Sequence, residues 1–119
     1  MPPSIPATHS LDVSDFNPSE MYFLLRDSIV PRPIAWVSTI SRTGATNIAP
    51  FSFFTIICEA PPTICFAPVR KADGTKKDTL RNIEAPGEFV VNVVGEEHVP
   101  AMSHSAATVA PEVDEFERI

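Results

Sequence analysis

Long apolar runs are missing from this 119-residue sequence, and no stretch approaches the roughly 20 consecutive apolar residues that a bilayer-spanning helix requires. The N-terminus also lacks the charged-then-apolar pattern of a signal peptide. A soluble, cytoplasmic chain with no membrane partner is the expectation. Glycine is scarce, with four residues against thirteen prolines, which favours short strands and fixed corners over long helices. Cys58 and Cys65 are too few and too widely spaced for a disulfide framework or a four-ligand zinc site. Both are expected reduced, Cys65 as a small core residue in a strand, and Cys58 at a loop border from which it could approach a bound ligand. Basic charge is short as well: nine Lys and Arg against fifteen Asp and Glu give a net charge of −6. No basic block interleaved with aromatics offsets it, so nucleic acid is not an expected partner. The familiar catalytic motifs G-x-S-x-G and H-E-x-x-H, the Walker loop and the dinucleotide fingerprint G-x-G-x-x-G are all absent. His98 and His104 lack a paired Cys or carboxylate at metal spacing and read as structural or surface residues.

What is present fits one domain with a modest core, the apolar fraction being 44%. Residues 1–16 have the composition of a mobile arm, and residues 17–119 form the domain. Asn17 can N-cap a short helix, with Pro18 at its first position and Glu20 at its third, ending before Pro31. The stretch Ile34-Ala35-Trp36-Val37-Ser38-Thr39-Ile40 alternates large apolar with small or polar residues and reads as a strand. Ser41-Arg42-Thr43-Gly44 reverses the chain, Gly44 tolerating the positive φ of a short hairpin loop. The return strand runs from Ala45 to Phe54. It contains Pro50, which cannot donate a ladder hydrogen bond, so the strand must be an edge, carry a bulge, or turn its backbone to a ligand. Glu59-Ala60-Pro61-Pro62 is a corner and Thr63–Ala67 a third strand. After a polar connection, residues 78–83 read as a helix capped by Asp78 or Thr79 and ended by Pro86-Gly87. Glu88–Val94 reads as a fourth, largely buried strand, residues 96–107 as a weak helix broken near Pro100, and residues 111–119 as an acidic tail.

Two local features can carry chemistry. Arg70, Lys71, Lys76 and Lys77 form the only local basic cluster, just ahead of the Asp78 helix. There the free N–H groups of the first turn, Lys76 or Lys77 and the Thr79 hydroxyl could cradle a phosphate; a capped surface helix with solvated lysines accounts for the same pattern. In the hairpin, Ser38, Thr39, Asn47 and Ser52 set small hydrogen-bonding groups beside Trp36, Phe51, Phe53 and Phe54. That mixture suits a flat heteroaromatic ring, whose faces need apolar contact and whose edge needs donors and acceptors; an ordinary strand pair with its polar residues in water would look alike.

The runs R-P-I-A-W-V-S-T (residues 32–39), N-x-A-P-F-S-F-F (47–54), K-D-T-L-R-N (77–82), G-E-F-V-V-N (87–92) and V-D-E-F-E (113–117) resemble, in order and spacing, the flavin reductase-like, FMN-binding split-barrel proteins. The resemblance covers about nine-tenths of the chain and is specific to family, not to substrate. It implies a mainly β, Greek-key split barrel with short peripheral helices, a homodimer, and FMN held noncovalently near the subunit interface and reduced by NADH or NADPH. Electrons would pass onward to an acceptor such as a partner oxygenase or a ferric chelate. By position, Ser38, Thr39, Asn47, Ser52 and Phe53 would line the isoalloxazine and ribityl chain. Lys77, Asp78 and Thr79 would meet the phosphate, Asp78 chiefly through its backbone. The resemblance also implies further strands after V-D-E-F-E, so the barrel is expected to be incomplete within this chain.

Overall fold

The structure, a computed structural model, describes residues 7–107 and 115–118. The expected mobility of residues 1–6 and most of the acidic tail therefore lie outside the described residues. The chain divides into two compact units, Met1–Pro31 and Arg32–Ile119.

The first unit carries helix α1, Pro18–Ser28. Its start follows the sequence rule closely. The Asn17 side chain accepts from the Glu20 N–H, and the Glu20 carboxylate accepts from the Asn17 N–H, so two otherwise orphaned donors are satisfied reciprocally. Arg26 near the C-terminal end lies 4.8 Å from the centre of the Phe23 ring.

In the second unit, strands β1 (Ala35–Ile40) and β2 (Thr46–Phe51) form the expected hairpin, with Gly44 at φ +88° in the turn. Their register sets Ala35 against Phe51, Val37 against Ala49 and Thr39 against Asn47. Strand β5 (Val90–Asn92) pairs antiparallel with the other side of β1. The sheet order is thus β2-β1-β5, and Pro50 sits on the edge strand, where its missing N–H interrupts no inner ladder. Strands β3 (Phe54–Glu59) and β4 (Pro62–Phe66) form a separate two-stranded sheet with a register shift between Ile56 and Cys58. Helix α2 spans Asp78–Glu84 and helix α3 Val99–Ser105. Among the described residues no sheet closes into a barrel.

The core is small. Ala35, Val37 and Phe51 are buried, with Ala49, Phe54, Phe66 and Val91 packed against them. Phe66 joins the two sheets, its ring lying 5.2 Å from that of Phe51 and 5.1 Å from that of Phe89.

Several expectations need correction. The return strand stops at Phe51, not Phe54. A bend at Ser52-Phe53 intervenes, fastened by Arg32 Nε donating to Ser52 Oγ at 3.3 Å, and Phe54 begins a strand of its own, giving five strands among the described residues where four were expected. Cys65 is exposed, not in the core, because it stands on a two-stranded sheet with no layer over that face among the described residues. The Glu88–Val94 strand is shorter and more open than its apolar content implies: Val90 is 59% and Val93 92% exposed. Apolar content measures what a strand could bury and says nothing of whether a neighbouring layer covers it. Pro100 lies in the first turn of α3, where its missing N–H is harmless, so it starts that helix and does not break it. Finally, Lys77 occupies the N-cap of α2 and makes no side-chain cap. The two side chains expected to cap are engaged elsewhere, Asp78 with Arg81 and Thr79 with Asn47.

Candidate functional site

Side chains alternate along the β1–β2 ribbon, so Val37, Thr39, Asn47, Ala49 and Phe51 share one face, and Trp36, Ile48 and Pro50 the other. Helix α2 lies over the first face and α3 packs on β2. At the edge of β2 the two helices bound a cavity of about 180 Å³, lined by Asn47, Ala49 and Pro50 from the strand, Lys71, Lys77, Asp78 and Thr79 from the loop and α2, and Ser105 to Ala107 from α3.

Polar contacts fix these walls. Thr79, 1% exposed, donates from Oγ1 to Asn47 Oδ1 at 2.9 Å. One turn further along α2, Asn82 Nδ2 donates to Thr39 Oγ1 at 3.1 Å. The two acceptors are the directly opposed cross-strand pair. On the other face, the indole N–H of Trp36 donates to Ser105 Oγ at 2.9 Å, and Ser105 Oγ donates to the Met102 carbonyl at 2.7 Å.

The cavity is electropositive. Burial, and after it the neighbouring charge of Lys71, holds the Lys77 ammonium below its usual value. It stands 5.3 Å from the centre of the Phe51 ring and, among the described residues, has no carboxylate partner. The other charges nearby are matched: Asp78 pairs with Arg81, and Lys76 with Glu84 at 2.6 Å. Lys71 and Lys77 both line this partly desolvated space and repel one another, and an anion bound there relieves that repulsion. The volume falls below the range of about 300–1,000 Å³ typical of whole-ligand pockets, so the cavity suits the charged end of a ligand. A second cavity, of about 390 Å³, lies at the other end of the ribbon. Ser38, Thr39, Ser41, Thr46 and Glu88 line it with polar groups, and Ile40, Pro86, Phe89, Val90 and Phe116 give it apolar walls.

Of the residues expected to form a site, Asn47, Lys77, Asp78 and Thr79 meet in the smaller cavity. Ser38 and Thr39 line the larger one, the Ser38 hydroxyl accepting from Asn92 Nδ2 at 3.1 Å. Ser52 and Phe53 stand apart from both, at the bend beside Arg32, whose guanidinium carbon is 6.0 Å from the Phe53 ring centre. Cys58, whose place at a loop border could have let it approach a ligand, lines neither cavity. Sequence reasoning misses Ser105 and Asn82. Asn82 stands inside a matching run without a role there, and Ser105 carries no local signal, since its partner Trp36 is 69 residues away. Among the described residues no three His, Cys, Asp or Glu side chains gather as a metal site, and no helix is long and apolar enough to cross a membrane.

The family model of the flavin reductase-like domain matches residues 26–119. The chain belongs to the flavin reductase-like family. An uncharacterized protein of Aquifex aeolicus is 43% identical over 106 residues, which are 89% of this chain and 54% of that protein. Nitrilotriacetate monooxygenase component B from Bacillus cereus superposes with a TM-score of 0.86 at 38% identity, over 96% of this chain and 56% of its own. Flavoredoxin of Desulfovibrio vulgaris gives 0.66 at 26% identity, over 76% and 46%. A Shewanella frigidimarina protein with a split barrel domain, 19% identical at a TM-score of 0.67 over 92% and 50%, agrees in fold alone. The fold of this flavin reductase-like chain is therefore that of the split-barrel proteins. It spans about half the length of the relatives it matches.

Proposed function

We propose that this flavin reductase-like chain holds FMN and serves an oxidoreductase that passes electrons from NADH or NADPH to the flavin. The observation that carries the reading is the convergence of Asn47, Lys71 and Lys77 on one small cavity at the edge of the hairpin. The fit to the cofactor rests on donor chemistry. Two ammonium groups, one of them half-buried and without a carboxylate partner among the described residues, match a phosphate monoester dianion. The larger cavity, with hydroxyls at its rim and apolar walls, suits the ring system, and the opposed pair Thr39 and Asn47 links the two.

Bound FMN would supply the redox chemistry. The residues of this chain bind and orient: Lys71, Lys77 and Asn47 fix the phosphate end, Ser38 and Thr39 meet the polar edge of the ring, and the first turn of α2 adds backbone N–H groups. Positioning of this kind needs no acid–base residue, which accords with the absence of a nucleophile–base pair in the sequence. The similarity to a monooxygenase component suggests an onward acceptor protein. The same reading includes a cytoplasmic homodimer, for which the exposed Ile56, Ile57 and Ile64 of the β3–β4 sheet are apolar surface in need of cover.

The similarity to flavoredoxin favours a second reading, an FMN electron carrier with no NAD(P)H activity of its own. One preparation separates them. The purified protein is expected to be yellow, to quench FMN fluorescence on titration, and to oxidise NADH or NADPH in the presence of FMN. Turnover no faster than that of free flavin leaves the carrier. A colourless protein that quenches nothing defeats both and indicates a relative that folds without flavin. Sedimentation equilibrium tests the dimer, and a monomer at micromolar concentration would remove it.

A further inference from the structure

The Thr79 hydroxyl has a single proton, and it is spent on Asn47 Oδ1 at 2.9 Å. That bond settles which way the Asn47 amide points. With Oδ1 turned to Thr79, the Nδ2 donors have no partner among the described residues, although Asn47 is only 7% exposed. Asn47 lines the small cavity, no side-chain polar atom among the described residues is both buried and unsatisfied, and its open amide donors therefore reach the cavity space, where a ligand acceptor can meet them. Asn82 adds a second fastening one helical turn later, to the residue directly opposite Asn47 in the ribbon. Two bonds at i and i+3 from one helix to one cross-strand pair fix both the height and the rotation of α2 on the sheet, and with them the place of Lys77 at its start.

We infer that Thr79 and Asn82 are positioning residues for the anion site. They clamp α2 to the Asn47–Thr39 pair so that the Asn47 amide donors and the Lys77 ammonium face the cavity together, and Thr79 acts through Asn47 without touching the ligand. This rests on the phosphate reading of the cavity and adds to it a division of labour between contact and support. Phosphate recognition then depends on a relay that runs helix to strand to ligand.

The test compares FMN with riboflavin, which carries the same ring without the phosphate, by fluorescence titration of the purified chain and its variants. The parent is expected to bind FMN more tightly than riboflavin. Thr79→Val should lose roughly tenfold in FMN affinity, the effect of one hydrogen bond to a charged group, with riboflavin affinity nearly unchanged. Thr79→Ser should restore the parent, and Asn82→Ala should lose FMN affinity in the same selective way. In an Asn47→Ala background Thr79→Val should have no further effect on FMN, because the relay is already cut. Should the two changes add in full, Thr79 touches the phosphate itself and the relay is wrong. Equal loss for FMN and riboflavin assigns both residues a general structural role and overturns the inference alone. A parent that does not distinguish the two flavins overturns the phosphate reading, and the inference with it. If Thr79→Val fails to fold in a thermal melt, Asn82→Ala and Thr79→Ser carry the same comparison.

Discussion

Removing the Ser105 hydroxyl isolates one bond whose energy can be worked out in advance. Ser105→Ala leaves the indole N–H of Trp36, a residue 7% exposed, without its acceptor, and the Met102 carbonyl without its donor. An unsatisfied buried donor costs about 1–3 kcal/mol. Two effects pull the figure down. Alanine is the better helix former by about 0.5 kcal/mol, and Ser105 lines the small cavity, so a water can enter to replace the lost hydroxyl. The net expectation is a destabilisation of about 0.5–2 kcal/mol, a fall in melting temperature of roughly 2–15 °C for a domain of this size. Trp36 is the only tryptophan, so denaturant unfolding followed by its fluorescence reads the bond directly, with circular dichroism as the second probe. The bond itself is isolated by repeating Ser105→Ala in a Trp36→Phe background, where no indole N–H remains to be orphaned. There the substitution should be close to neutral. An equal loss in both backgrounds would refute the assignment and place the whole effect on the Met102 carbonyl or on packing.

Three further outcomes follow from other parts of the molecule. Because Lys77 titrates below its ordinary 10.5, the unfolded chain holds this proton more tightly than the folded one. Its destabilising effect is complete below the depressed value and is relieved as pH rises from there toward 10.5. Lys77→Met should therefore flatten the rise in stability over that alkaline window, raise the melting temperature at neutral pH without ligand, and weaken FMN binding; thermal melts against pH check the first two. Gly87 stands at φ +80°, open space surrounds the point where a Cβ would project, and its N–H bonds the Ile83 carbonyl at 2.9 Å after α2. Gly87→Ala should thus cost about 1–2 kcal/mol from backbone conformation alone, seen as a lower denaturation midpoint that Gly87→Asn partly recovers. Asn17→Ala removes one half of the α1 capping box and should weaken that helix by about 1 kcal/mol, read as faster amide exchange in its first turn.

How far the sequence could be read depended on the range of the interaction concerned. The α1 cap, the Ser41–Gly44 reversal and the corner at Ala60-Pro61 are set by residues within a few positions of one another, and all three stand where local rules put them. Pro50 was legible for a similar reason. A missing N–H is intolerable inside a ladder, so proline alone narrowed β2 to an edge, a bulge or a ligand-facing backbone, and the sheet order selects the edge. Burial was not legible in this way. Cys65, Val90 and Val93 have the composition of interior strand residues and are exposed, because exposure is decided by whether another layer arrives.

The site divides along the same line. Lys77 and Asn47 could be named from matching runs, yet their meeting depends on Thr79 reaching a strand residue 32 positions earlier. Thr79 shows what local pattern cannot decide. At the start of a helix and next to a lysine, its hydroxyl looks equally like a cap or a phosphate ligand. In the folded chain Lys77, not Thr79, holds the N-cap position and no side chain caps the helix, while the Thr79 hydroxyl is 1% exposed and donates its proton to Asn47, which leaves the donor role toward a ligand to the amide. A hydroxyl can donate only once, so the choice of partner fixes the function, and that choice is made by the packing of α2 on the ribbon. Side chains that contact a ligand are the visible half of such a site in a sequence; the residues that aim them become visible only with the fold.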